Sequence, residues 1–139
     1  WQLCYLQIYQ GIPLMAVKTD LNLFIGTDFF IVYTILNAAE TLAQDVTGWS
    51  LSWMMKTDPS EDDADALITK TTADSEIAIA GTFSSVIASN TQTAAVTIED
   101  TDTDTLTPGT YYCELKRITV GNETILAYGQ LKLVRGVHH

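Results

Sequence analysis

Few side chains in this sequence have the type and spacing that catalysis or metal binding demands. The only histidines are His138 and His139, adjacent at an end where chains are usually frayed; they read as an exposed end or the remnant of a tag. A serine or threonine nucleophile needs a base held beside it, and no histidine lies elsewhere to serve. Carboxylates are plentiful but grouped, with Asp58, Glu61, Asp62, Asp63 and Asp65 in one cluster and Glu99, Asp100, Asp102 and Asp104 in another. A carboxyl that acts as a general acid needs surroundings that raise its pKa, whereas both clusters sit in polar runs that stay hydrated. Asp100-x-Asp102-x-Asp104 matches the first half of a calcium loop. Its sixth position is Thr105 instead of Gly and its twelfth is Tyr111 instead of Glu, so a solvated turn is expected. Cys4 and Cys113 offer no C-x-x-C or Cys/His spacing, which argues against zinc. A single disulfide between them stays open, and a buried free thiol is the favoured state of Cys113. No glycine-rich phosphate loop occurs. The expectation is a protein without catalysis, cofactor or resident metal.

The formal net charge is −10 and the sequence pI about 4.3. Such a surface repels phosphate backbones, so nucleic acid is not an expected partner. No Lys or Arg occurs between Lys70 and Lys116; solvated acidic loops explain this, with a docking surface for a basic partner as the alternative. Asn122-Glu123-Thr124 has the glycosylation pattern but reads as turn chemistry after Gly121.

Residues 1–17 carry no charge, yet Gly11 and Pro13 interrupt them and they fall short of a membrane span. A secretory leader would need a basic start, which is missing. Met15-Ala16-Val17-Lys18 reads like a natural start. Residues 1–14 are therefore expected to be a non-native upstream extension or an N-terminal arm packed on a neighbour, the first being favoured. In the arm reading, Trp1, Leu3, Tyr5, Ile8 and Tyr9 are the candidate partner interface. Residues 15–139 are expected to form one domain, a length that buries a core without metal or disulfide help.

The elements that would position any site are strands. Thr, Val, Ile, Tyr and Trp favour pleated, half-buried structure. Residues 19–25 alternate, with Leu21, Leu23 and Ile25 on one face, and residues 29–36 are a dense apolar run expected of a strand buried on both faces. In residues 49–56, Trp49, Leu51, Trp53 and Met55 point one way and Ser50, Ser52, Met54 and Lys56 the other; a one-residue slip would expose two indoles. Short strands are expected at 67–71, 77–80 and 95–99, with a loop or edge at 84–93 and a turn or short helical turn at 100–106. Pro108-Gly109 predicts a tight corner with positive φ at the glycine. Residues 110–118 alternate Tyr111, Cys113 and Leu115 inward against Tyr112, Glu114 and Lys116. Residues 120–123 predict a hairpin, and 124–134 a closing strand with a bulge at Gly129. Seven to nine antiparallel strands at this spacing describe an all-β sandwich of immunoglobulin-like type.

Thr110-Tyr111-Tyr112-Cys113 resembles strand F of an antibody variable domain, where the Tyr two residues before the Cys makes a tyrosine corner. The disulfide partner is missing: Cys4 lies far upstream and no Trp follows it at the right distance. A second resemblance covers most of residues 15–139. Ile25-Gly26-Thr27-Asp28-Phe29, then Asp45-Val46-Thr47-Gly48-Trp49, then Leu67-Ile68-Thr69-Lys70-Thr71 after an acidic loop, and last the Leu106-x-Pro108-Gly109-x-Tyr111 corner are similar, in order and spacing, to the N-terminal domain of siphophage baseplate upper proteins. That resemblance implies a virion location and a structural or accessory role through protein–protein assembly, as capsid decoration or cement or as a tail or baseplate component. The implied partners are other capsid or tail proteins, with homo-oligomer or lattice contacts and no membrane. Those relatives continue into a linker and a receptor-facing part, whereas this sequence stops at His139, so a freestanding accessory module docked on tail or capsid is expected over a baseplate arm. The alternative is a carbohydrate- or receptor-binding module, which needs exposed aromatics such as Trp49, Trp53 or Tyr112 in a shallow groove.

Overall fold

The computed structural model describes residues 2–10, 17–18, 20–37 and 41–136. Ten strands are present among them: β1 (Gln2–Gln10), β2 (Val17–Lys18), β3 (Leu21–Phe24), β4 (Phe29–Asn37), β5 (Leu51–Lys56), β6 (Ile68–Thr71), β7 (Ile77–Ala80), β8 (Thr93–Ile98), β9 (Gly109–Arg117) and β10 (Thr124–Val134). A four-stranded sheet runs β1-β4-β8-β7, and a six-stranded one runs β2-β10-β9-β5-β6 with β3 also on β10. They face each other as a sandwich. The expected all-β sandwich is present, with one strand more than the seven to nine expected because β1 lies within residues 1–14, outside the expected domain. Pairing is also not wholly antiparallel: β1 runs parallel to β4, and β2 and β3 run parallel to β10.

Alternation decides which side chains meet between the sheets. Ile31, Tyr33, Val96 and Ile98 come from one layer and Leu51, Trp53, Met55, Leu115, Leu131 and Leu133 from the other, all buried. Burying a Leu or Ile side chain contributes about 1.5–3 kcal/mol each, which explains why register is so firmly set. β4 is buried on both faces as its apolar run predicts, Val32 and Leu36 lying opposite Ile31 and Ile35. Between β2 and β3, where strand pairing to β10 breaks, Asp20 fills the gap by accepting the Gln130 N–H at 3.0 Å.

The corners carry their own chemistry. The turn after β8 is one helical turn, α1 (Asp100–Thr103), closed by a reciprocal capping box between Glu99 and Asp102. Thr103 Oγ1 accepts from Gly26 N–H at 2.9 Å, and Asp28 Oδ1 accepts from Asp100 N–H at 2.9 Å, so the β3–β4 turn is tied to α1. Tyr111 Oη donates to the Thr107 carbonyl at 2.6 Å; the tyrosine corner exists without any disulfide, and Cys113 is a free, buried thiol. Buried Gln92 accepts from Val46 N–H and donates to Asp45 and Thr47, which pins the Asp45-to-Trp49 turn.

Two turn expectations need correction. Gly109 does not have positive φ; it is the first residue of β9, and among the described residues the left-handed glycines are Gly26, Gly48, Gly81 and Gly121. The reversal is made instead by Leu106 N–H bonding to the Thr103 carbonyl, so Pro108-Gly109 only enters the strand. The β10 bulge falls between Ile125 and Ala127, while Gly129 pairs regularly with Cys113. There Leu126 and Ala127 are both buried, two successive apolar residues that only an extra residue in the ladder can turn to the same side.

Candidate functional site

The outward face of the larger sheet is shallowly concave, with a groove of about 300 Å³ over β2, β10, β9 and β5. Register places its side chains as a grid. One row crosses the strands as Lys18, Tyr128, Glu114, Met54; the next runs Gln130, Tyr112, Lys56. Tyr112 and Tyr128 are diagonal neighbours on β9 and β10, a spacing at which aromatic side chains reach each other. Pro59, from the loop after β5, closes one wall.

The charges around Lys56 on β5 and Glu114 on β9 are paired with one another. Lys56 Nζ lies 2.7 Å from Asp63 and 3.6 Å from Glu114; Lys116 Nζ lies 3.0 Å from Asp63 and 3.6 Å from Glu114. Lys56 also donates to the Glu61 carbonyl at 3.1 Å. Two cations and two carboxylates thus hold the acidic 58–65 loop down on the sheet. The hydrogen bond to Asp63 raises Lys56 above the ordinary lysine range, against burial that pulls it down. Hydrogen bonds from Lys56 and then Lys116 hold Asp63 below the ordinary carboxylate range. The expected picture of a fully solvated acidic cluster is therefore corrected at Asp63, and equally at Asp102. Lys70, buried on β6 and directly opposite Trp53, points inward and binds Asp102 at 2.8 Å and Glu76 at 3.1 Å.

Neither described tryptophan lines the groove. Trp53 is fully buried in the core, and Trp49 is half-buried with the Arg117 guanidinium 3.8 Å above its ring. Of the aromatics named from sequence, only Tyr112 lines the groove. Tyr128, Met54 and Lys18 were missed, although Tyr128 lies on the outward phase of the closing strand. Trp1 lies outside the described residues. Leu3, Tyr5, Ile8 and Tyr9 lie on β1, opposite Phe30, Val32, Ile35 and Leu36 of β4, so that segment adds to the chain's own sheet and does not hang free. No group of three or more metal-ligating side chains occurs among the described residues, and none of their helices is long and apolar enough to cross a membrane.

No family model matches this chain, and no curated protein matches it. Among solved structures it is similar to the N-terminal domain of phage TP901-1 ORF48, with a TM-score of 0.49 and 8% sequence identity over 97% of this chain and 100% of that one.

Proposed function

We propose that this chain is a structural or accessory component of a tailed-phage virion, acting by protein–protein assembly and without catalysis. The observation that supports it most is where the resembling motifs fall. Ile25-Gly26-Thr27-Asp28-Phe29 and the Leu106-to-Tyr111 stretch form the two turns that hydrogen-bond to each other through α1. Asp45-Val46-Thr47-Gly48-Trp49 forms the turn pinned by Gln92. Short motifs that agree in order and also build the corners constrain a fold far more than the same motifs scattered on strand surfaces. The immunoglobulin-like part of the reading is supported by the Tyr111 corner and by Trp53 buried in the same core as Cys113. The acidic exterior favours docking on a basic patch of the shell or tail.

The test is quantitative mass spectrometry of particles purified from the phage whose genome encodes the chain. Stoichiometric copies are expected after gradient purification and salt washing. A chain found only in the soluble lysate would end this reading.

A second reading, a carbohydrate- or receptor-binding module, is favoured by the groove itself, which presents Tyr112, Tyr128, Met54 and Gln130 beside Lys18 to a ligand. Tryptophan quenching is the wrong readout for it, because neither Trp49 nor Trp53 lines the groove. Tyrosine ring resonances followed during titration with neutral oligosaccharides would respond, and Tyr112→Ala should abolish the response.

A further inference from the structure

The sheet edges of this sandwich are not equally protected. On one side lie β6 and β7, each the last strand of its sheet. An inward-facing charge is one of the devices that stop an edge strand from recruiting another chain, and β6 carries one: Lys70, fully committed between Glu76 and Asp102. Both strands are also short, four residues each.

On the other side the smaller sheet ends in β1, which has none of these devices. Its nine residues, Gln-Leu-Cys-Tyr-Leu-Gln-Ile-Tyr-Gln, include no charge, proline or glycine. All nine are in register with β4 on one flank, and the sheet stops there. Along the other flank half of the β1 residues present an N–H and a C=O, and no strand among the described residues pairs with them there. A long, uncharged edge of this kind is a template for strand addition.

The sequence of β1 also says what fits it. Laid antiparallel on a second copy about Leu6, Gln2 falls opposite Gln10, Leu3 opposite Tyr9, Cys4 opposite Ile8, Tyr5 opposite Gln7, and Leu6 opposite Leu6. Apolar residues meet apolar ones, the glutamines at the ends meet each other, and only the Tyr5–Gln7 pair mixes character. A two-fold interface needs such self-complementarity, since the same patch must serve both sides. It matters doubly for a chain of net charge −10, because like-charged copies repel each other overall, while β1 brings no charge to the contact.

We propose that two copies of this protein pair through the free edge of β1, antiparallel about Leu6, fusing two four-stranded sheets into one continuous sheet. This rests on the assembly reading above and names one of its contacts: a copy of the same chain.

The experiment uses the full chain with Cys4→Ser, so that Cys113 is the only remaining native thiol. Sedimentation over a concentration series should show a reversible dimer of twice 15.3 kDa. Leu6→Lys sets two ammonium groups face to face and should give a monomer with an unchanged circular dichroism spectrum. Leu6→Cys places two thiols opposite each other at the two-fold and should cross-link to a dimer on mild oxidation, reversed by reductant. A chain of monomer mass at every concentration overturns the proposal, as does a dimer that survives Leu6→Lys or fails to cross-link through residue 6. If Leu6→Lys fails to fold, the Leu6→Cys cross-link decides alone. Virion incorporation is scored separately: a monomer that still enters particles removes this inference and leaves the assembly reading, while a dimer absent from particles does the reverse.

Discussion

Lys70 permits a calculation of what a guarded edge contributes to stability. Its side chain is 7% exposed, while its partners Asp102 and Glu76 are 23% and 33% exposed. Breaking a fully buried pair costs about 3–5 kcal/mol and breaking an exposed one about 0.2–1 kcal/mol. Here only the cation is dry and both carboxylates remain partly hydrated. Methionine keeps most of the aliphatic stem against Trp53. Lys70→Met should therefore destabilise by about 1–2 kcal/mol, an intermediate value between those limits. For a chain of this length that lowers the melting temperature by roughly 4–7 °C. Asp102→Asn keeps an oxygen for the Glu99 N–H, which Asp102 Oδ2 accepts at 2.8 Å, and so reports the charge alone. The double-mutant cycle, read by urea unfolding, should give a Lys70–Asp102 coupling of about 1 kcal/mol. The pH dependence has a definite sign. Burial pulls the Lys70 ammonium down, the hydrogen bonds it donates to Asp102 and Glu76 outweigh it, and the net shift is upward. A raised lysine contributes its full stabilisation below the unfolded value of about 10.4 and loses it as pH climbs through the folded one. The wild-type advantage over Lys70→Met should thus be flat through neutral pH and shrink only above about pH 10. A coupling within about 0.3 kcal/mol of zero, or an advantage that shrinks on acidification alone with no alkaline loss, would refute the assignment of Lys70 as an ion-paired lock.

Two smaller predictions concern β9. Tyr111→Phe deletes the hydroxyl that bonds the Thr107 carbonyl and should cost about 1 kcal/mol, measured by denaturant unfolding with an unchanged m-value; no loss would mean the corner is held by packing alone. Burial, followed by the charges of Asp20 and Glu114, pushes the Cys113 thiol up to about 12. Its neutral form is therefore favoured by folding, and the associated stability is intact below the unfolded value of about 8.5 and lost as pH rises toward the folded one. In a Cys4→Ser background the native thiol should react with Ellman's reagent at pH 8 at least ~10²-fold more slowly than in urea; equal rates would place it outside the core.

Strand positions and core membership were legible because alternation is a local signal. Leu51, Trp53 and Met55 on one phase, and Cys113 and Leu115 on another, point to a half-buried pleat whatever the topology, and all five are buried. Parallel pairing was not legible. Nothing in residues 21–24 distinguishes a strand that follows β10 from one that opposes it, because that choice is made by the path of the chain between sheets. The acidic clusters were misjudged for a related reason. Asp63 and Asp102 look like their hydrated neighbours in sequence, and only folding brings Lys56, Lys116 and Lys70 to them from other strands. The groove is non-local too: Lys18, Met54, Tyr112 and Tyr128 come from four strands, and the sheet order that gathers them is not written in any one of them.

The parallel run of β3 beside β10 has a mechanical consequence. Leu21–Phe24 and Leu131–Val134 point the same way, so tension between the chain entering β3 and the chain leaving β10 slides the two strands lengthwise past each other. The rungs joining them then share the load and must break together instead of unzipping singly from one end. A module loaded through the chain entering β3 and the chain leaving β10 would yield late under stretch, and when it did yield it would do so abruptly.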